Sequence, residues 1–127
     1  MMTYMLVLVS LFICHYLADF CLTWPGLIQS KADGRNAWPI MQHAAVHALL
    51  MGVCLLMCGI GPWLSLLMMA FEWATHFLID TAKARLSAVF PMLSDARHKT
   101  YWMLYGIDQL LHQLVIVLIW YFVLFTF

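Results

Sequence analysis

Charge is scarce in this sequence. Asp, Glu, Lys and Arg together supply 9% of its 127 residues, where ordinary globular chains carry about 25%. A chain so short of ions cannot clothe a water-facing surface. With 65% hydrophobic residues, its natural solvent is a bilayer. An excess of positive charge is missing too, since six basic residues balance six acidic ones. The basic residues are split over two loops, the ordinary topogenic pattern, so nucleic-acid binding has no support. The first apolar run lacks the cationic leader of a secretory signal and carries His15 and Asp19 within it, which favours a permanent span. Cys14, Cys21, Cys54 and Cys58 lie within or beside apolar runs, where a thiol packs as a small hydrophobe. No disulfide framework is expected.

Four long apolar runs are present: Thr3 to Leu22, Pro39 to Gly59, Pro62 to Lys83 and Tyr101 to Phe127. Each is long enough for a helix across a hydrocarbon core of about 30 Å. The expected fold class is all-α: one transmembrane domain over residues 1–127, built as an up-down four-helix bundle. Lys31 and Arg35 lie in the first loop, and Lys83, Arg85, Arg97 and Lys99 lie in or beside the third. By the positive-inside rule these loops face the cytoplasm and both termini face outward. The first loop, TWPGLIQSKADGRNAWP, is rich in turn residues, with Trp24 and Trp38 placed as interfacial anchors. The turn CGIGP is so short that it makes its two helices an antiparallel hairpin. The third loop mixes apolar and basic residues, so part of it is expected along the membrane surface.

Each run also carries ionisable residues four apart: His15 and Asp19; His43 and His47; Glu72, His76 and Asp80; Asp108 and His112. Residues at that spacing share a helix face. Measured from the cytoplasmic helix ends, Asp19, His43 and Asp80 lie roughly 6 Å deep, His15, His47, His76 and Asp108 roughly 10 to 12 Å, and Glu72 and His112 roughly 16 to 18 Å. All nine fall in one band, although neighbouring spans run in opposite directions. An Asp near the middle of a span costs about 2.5 to 3.5 kcal/mol on insertion, while each Leu or Phe returns only about 0.3 to 0.6. Such groups therefore face one another inside the protein. Five His and four carboxylates match the ligand supply of one or two divalent ions, zinc first, with iron or manganese next. The competing reading is a metal-free His–carboxylate network that ties the helices together. His98, in the basic loop, is excluded from the site, and Tyr101 and Tyr105 are read first as ordinary interfacial tyrosines, with a place at the rim of the site as the alternative.

HYLADF (His15 to Phe20), HAAVH (His43 to His47), EWATHFLIDTAK (Glu72 to Lys83) and DQLLH (Asp108 to His112) resemble the signature of a family of small bacterial and phage membrane proteins, catalogued as domain of unknown function 3307. The resemblance covers nearly the whole chain and implies a shared fold and site in a multi-pass protein of the bacterial inner membrane. One departure is visible. A Gln is expected shortly after HYLADF, where Cys21 to Thr23 stand, and Gln29 is the nearest amide. A weaker similarity is to membrane-bound metal-dependent hydrolases. The HxxHH boxes of membrane desaturases and the HExxH of soluble zinc proteases are absent, and the di-iron ExxH spacing is replaced by ExxxH.

Three functions compete. The first is a membrane-embedded metal-dependent hydrolase acting on a lipid-like or membrane-delivered substrate from the cytoplasmic side, with Glu72 or Asp80 as general base and Lys83 holding a phosphate or carboxylate. The second is a transporter of metal ions or protons, with Cys54 and Cys58 continuing the His43–His47 stripe. The third is a non-enzymatic interaction protein with a structural polar core. The lipid bilayer is the expected surrounding in all three, and a homo-oligomer is compatible with spans this short.

Overall fold

The computed structural model describes residues 2–126, with side chains from Tyr4 to Thr126. Helix α1 (Met2–Tyr16) runs directly into a π turn, Leu17–Cys21, closed by the Leu22 N–H on the Leu17 carbonyl at 3.0 Å. Then follow α2 (Pro25–Asp33), α3 (Trp38–Met57), α4 (Pro62–Val89), a 3-10 turn at Pro91–Leu93 and α5 (Lys99–Thr126). The last position of the expected fourth span, Phe127, lies outside the described residues.

Proline and glycine place the helix ends. Pro25 opens α2 at a position where a missing N–H costs nothing, and Gly34 closes it in the left-handed region with its N–H on the Ser30 carbonyl at 3.0 Å. The turn-rich first loop is thus largely helix, contrary to its composition. At the end of α3, Gly59 has φ 83°, the Ile60 N–H reaches the Leu55 carbonyl and the Gly59 N–H reaches that of Leu56, each at 3.0 Å. This is a complete Schellman motif. Pro62 then starts α4 at once, which fixes the expected hairpin. Helix α4 continues beyond Lys83 to Val89, and it stops there because Pro91 pushes Phe90 into extended backbone. The loop beyond is tied by Arg97, whose guanidinium hydrogen-bonds both Asp95 oxygens and holds that carboxyl below the usual range.

Gly34 has a second reason to be glycine: a Cβ there would lie 2.9 Å from the Ala84 carbonyl oxygen of α4. Gly34→Ala should therefore cost about 1–2 kcal/mol from its φ of 64° alone, and more from the clash with backbone. Thermal unfolding in detergent reads the loss, and an unchanged midpoint would contradict this packing.

Helix α3 lies against α1, α2 and α4, and α5 lies against α1 and α4. The Trp120 indole N–H donates to the Tyr4 carbonyl at 2.8 Å and that of Trp73 to the Met41 carbonyl at 3.3 Å, clamping α5 to α1 and α4 to α3. Toward the α3–α4 turn the interior is apolar, formed by Val7, Leu11, Met51, Leu55, Ile60, Ile116, Ile119 and Val123. A smaller cluster of Leu27, Ile40 and Ala84 seats α2. Between these clusters the large buried side chains are polar, with the small Ala18, Ala44 and Ala48 among them.

Helix α4 is inside out. Its buried positions are Ser65, Glu72, His76, Asp80, Ala84 and Ser87, while Leu66, Leu67, Leu78 and Leu86 are exposed. Three stretches, Tyr4–Cys21, Trp38–Met57 and Lys99–Thr126, are long and apolar enough to cross a membrane. Helix α4, the remaining expected span, is long enough at 28 residues. It is not among the three, because Glu72, His76 and Asp80 dilute its apolar run.

Candidate metal centre

The helices converge on five buried imidazoles, those of His15, His43, His47, His76 and His112. His47 and His76 have ring centroids 3.7 Å apart, His76 and His112 4.2 Å, and His43 and His47 4.6 Å. His15 approaches His47 at 4.9 Å. Stripes of four different helices, α1, α3, α4 and α5, thus meet in one place.

Two groups of ligand atoms stand out. In the first, Asp19 Oδ1 lies 3.1 Å from His43 Nε2 and 3.5 Å from His47 Nε2, and these two nitrogens are 3.2 Å apart. Ligands about 2.0–2.1 Å from a tetrahedral zinc are separated by about 3.3–3.4 Å, so this triangle already has the edges of a coordination tetrahedron. A neutral imidazole pair can share one proton, but two ring nitrogens and a carboxylate oxygen at these distances suit a common cation better. In the second group, Asp80 presents Oδ2 to His76 Nε2 at 3.5 Å and Oδ1 to His112 Nε2 at 3.7 Å. His76 belongs with both groups, and His15, His47, Glu72 and His76 form a third overlapping set.

The tautomers sharpen this picture. His112 Nδ1 donates to the Asp108 backbone carbonyl at 2.7 Å, and His76 Nδ1 faces Glu72 Oε1 at 3.4 Å. Each ring therefore turns Nε2 inward as a lone pair when neutral. Both Nε2 atoms are buried without a hydrogen-bond partner, as are both nitrogens of His15 and Glu72 Oε2. A lone pair facing a carboxylate is repulsive unless a cation sits between them. Orphaned ligand atoms of this kind are what a metal site requires.

Two lysines reach the same place. Lys31, on α2, puts Nζ 2.7 Å from Asp80 Oδ2 and 3.6 Å from Asp19 Oδ1. Lys83 donates to Asp108 Oδ2 at 2.8 Å. Asp108 consequently belongs to none of the three ligand sets; its carboxylate holds Lys83, and its backbone orients His112. Lys83 is thus paired with the chain's own Asp108 rather than standing free. Lys31 escaped the sequence reading because a basic residue in a supposed loop looks topogenic. Pro25 and Gly34, nine residues apart, were the signal that could have placed it on a helix. The amide expected beside HYLADF comes from Gln109, whose Nε2 donates to Asp19 Oδ2 at 3.0 Å, while Gln29 is exposed. Asp19 itself sits in the π turn, which swings it across to α3. His98 is exposed, with its ring 3.8 Å from Asp95.

No curated protein and no solved structure matches the chain, hydrolases included. The family described as "Protein of unknown function (DUF3307)" matches residues 7–127, a range that holds every motif and every ligand atom described above. The chain belongs to that family.

Proposed function

We propose that the protein is a metal-dependent hydrolase of the bacterial inner membrane, a four-helix transmembrane bundle whose buried centre acts on a lipid-like or membrane-delivered substrate from the cytoplasmic side. The Asp19–His43–His47 triangle carries this reading, because its three edges of 3.1, 3.2 and 3.5 Å match those of a zinc tetrahedron. Charge supports it independently. Asp19, Glu72, Asp80 and Asp108 bring four carboxylates, Lys31 and Lys83 two ammonium groups, and one divalent ion closes the difference with every His neutral. Zinc suits the nitrogen-rich donor set, with iron or manganese next.

The inside-out α4 supports its place as a fourth span, since exposed leucines around a buried polar stripe belong in lipid. The basic residues of the first and third loops support a cytoplasmic position for α2 and for the centre beneath it, with both termini outward.

A divalent ion bound there would supply Lewis acidity, polarising the bond under attack and acidifying a water. The chain's own groups divide the remaining work. Asp80 is committed to Lys31, His76 and His112, whereas Glu72 Oε2 is buried and unpartnered. Glu72 is therefore the better general base, and Asp80 holds the ligating imidazoles in place. Lys83 stands at the mouth of the site, ready to meet an anionic group. The closed apolar cluster toward the α3–α4 turn favours a dead-end pocket over a transport path.

Elemental analysis of purified protein, with His47→Ala and His76→Ala alongside, tests the centre. One ion per chain, lost in both variants, is the expected result, and protein isolated without any ion would overturn it. Hydrolysis of lipid esters in detergent then tests the activity, which should disappear on chelation and in Glu72→Gln.

A further inference from the structure

Lys83 lies where three cavities meet. One, of about 240 Å³, sits beneath α2 and is lined by Lys31, Lys83, Tyr101, Tyr105, Ser87 and Ser94, with apolar residues between them. No carboxylate lines it. A second, of about 310 Å³, shares Lys31, Lys83 and Tyr105 and runs on to Asp19 and Gln109. The third is a groove of about 290 Å³ on the outside of the α4–α5 contact, apolar except at Lys83 and Asp108. Its walls include Leu78, Leu86, Ile107 and Leu111, all exposed. From Leu78 to Leu86 the groove rises about 12 Å along α4, room for most of one leaflet's acyl chain.

From this arrangement we infer that the protein binds a phosphate-bearing anionic glycerolipid, its chain in the α4–α5 groove and its phosphate beneath α2 between Lys31 and Lys83. The inference rests on the hydrolase reading above and names the substrate class of that same site. A donor-lined pocket selects an anion. An ammonium has three N–H groups, and the bonds to Asp80 and Asp108 leave others free to face the pocket. Tyr105, with Lys83 Nζ 5.0 Å above its ring, adds a hydroxyl at the junction. Free phosphate would leave the groove without a role. A choline head would bring a cation to two lysines with no acid lining the pocket to receive it. The second cavity joins the phosphate position to Asp19, so the ester bonds of such a lipid lie on the side of the proposed ion.

Native mass spectrometry of the full-length, metal-loaded protein, offered phosphatidylglycerol or phosphatidylcholine in detergent, tests the site. Phosphatidylglycerol should be retained in preference, by about fivefold for each lysine. Lys83→Met should lose its share of that preference. Because that variant strands Asp108, Ile107→Trp provides a second probe: it fills the exposed groove and should weaken phosphatidylglycerol retention while leaving the ion in place. Equal retention of the two lipids overturns the inference. So does inorganic phosphate displacing the lipid while Ile107→Trp has no effect, which would make the site a phosphate pocket alone. Metal content read on the same samples separates the two readings. Protein that keeps its ion but does not distinguish the lipids removes the lipid site only, while protein that distinguishes them without any ion removes the metal reading only.

Discussion

Purified His43→Ala protein should lose its divalent ion to a weak chelator that leaves the native protein loaded. His43 is fully buried and supplies two edges of the tightest ligand triangle, to Asp19 Oδ1 at 3.1 Å and to His47 Nε2 at 3.2 Å. Even groups that merely orient a ligand cost about 10–100-fold in affinity when removed, so loss of a ligand should reach at least the upper end of that range. Asp19→Asn keeps the shape of the side chain but removes its charge, and it should weaken the ion comparably. Removal of the ring of His98, which is exposed beyond the site, should change nothing. Helix content measured in parallel guards against unfolding. If His43→Ala holds the ion with native affinity, the triangle is not the centre.

Lys31→Met should be the most destabilising substitution outside the helices that carry the imidazoles. The Lys31 ammonium is 2.7 Å from Asp80 Oδ2 and 3.6 Å from Asp19 Oδ1, and those carboxylates are 2% and 8% exposed. Removing one member of a fully buried pair costs about 3–5 kcal/mol. Lys31 keeps a quarter of its side chain in contact with solvent, so about 2–4 kcal/mol is expected here. The penalty arises from the stranded negative charge, which gives it two signatures. Adding Asp80→Asn to Lys31→Met should restore part of the lost stability, and a bound divalent ion should do the same. Denaturation in mixed micelles measures both. A double variant no more stable than the single one would show that Lys31 acts by packing alone.

These two residues also mark where the sequence was legible. His43 could be found without coordinates because an imidazole within an apolar run is expensive, and its partner four residues on shows which way it faces. The same logic pointed to the stripes of all four long helices, whose His15, His43, His47, Glu72, His76, Asp80, Asp108 and His112 are buried. Lys31 was hidden for the opposite reason. Lysine near a membrane surface is cheap and common, so its presence carried no information until Pro25 and Gly34 were seen as the two ends of a helix. Asp108 looked equivalent to the other carboxylates, yet Lys83 captures its carboxylate and its backbone carbonyl is what orients His112. Gln109 stood in plain view beside it, but no periodicity announces which neighbour an amide will choose. The composition of α4 misled in a subtler way: the polar stripe that defines the centre also lowers the apparent fitness of that helix for lipid.

The π turn at Leu17–Cys21 holds one residue more than an α-helical path would need, and that surplus is slack in the chain. Each residue of an α-helix advances the chain by about 100°. Excising a single residue from the middle of α3 would therefore turn one half of that helix against the other by roughly that angle. The same excision from the widened turn would take up the slack and restore α-helical phase, so His15, Val7 and Leu11 would keep their inward faces. The loss would fall on Asp19, whose approach to His43 Nε2 at 3.1 Å is made from within the widened turn. This short segment thus tolerates a change of length at the expense of one ligand, a property that its bland composition, LADFC, does nothing to advertise.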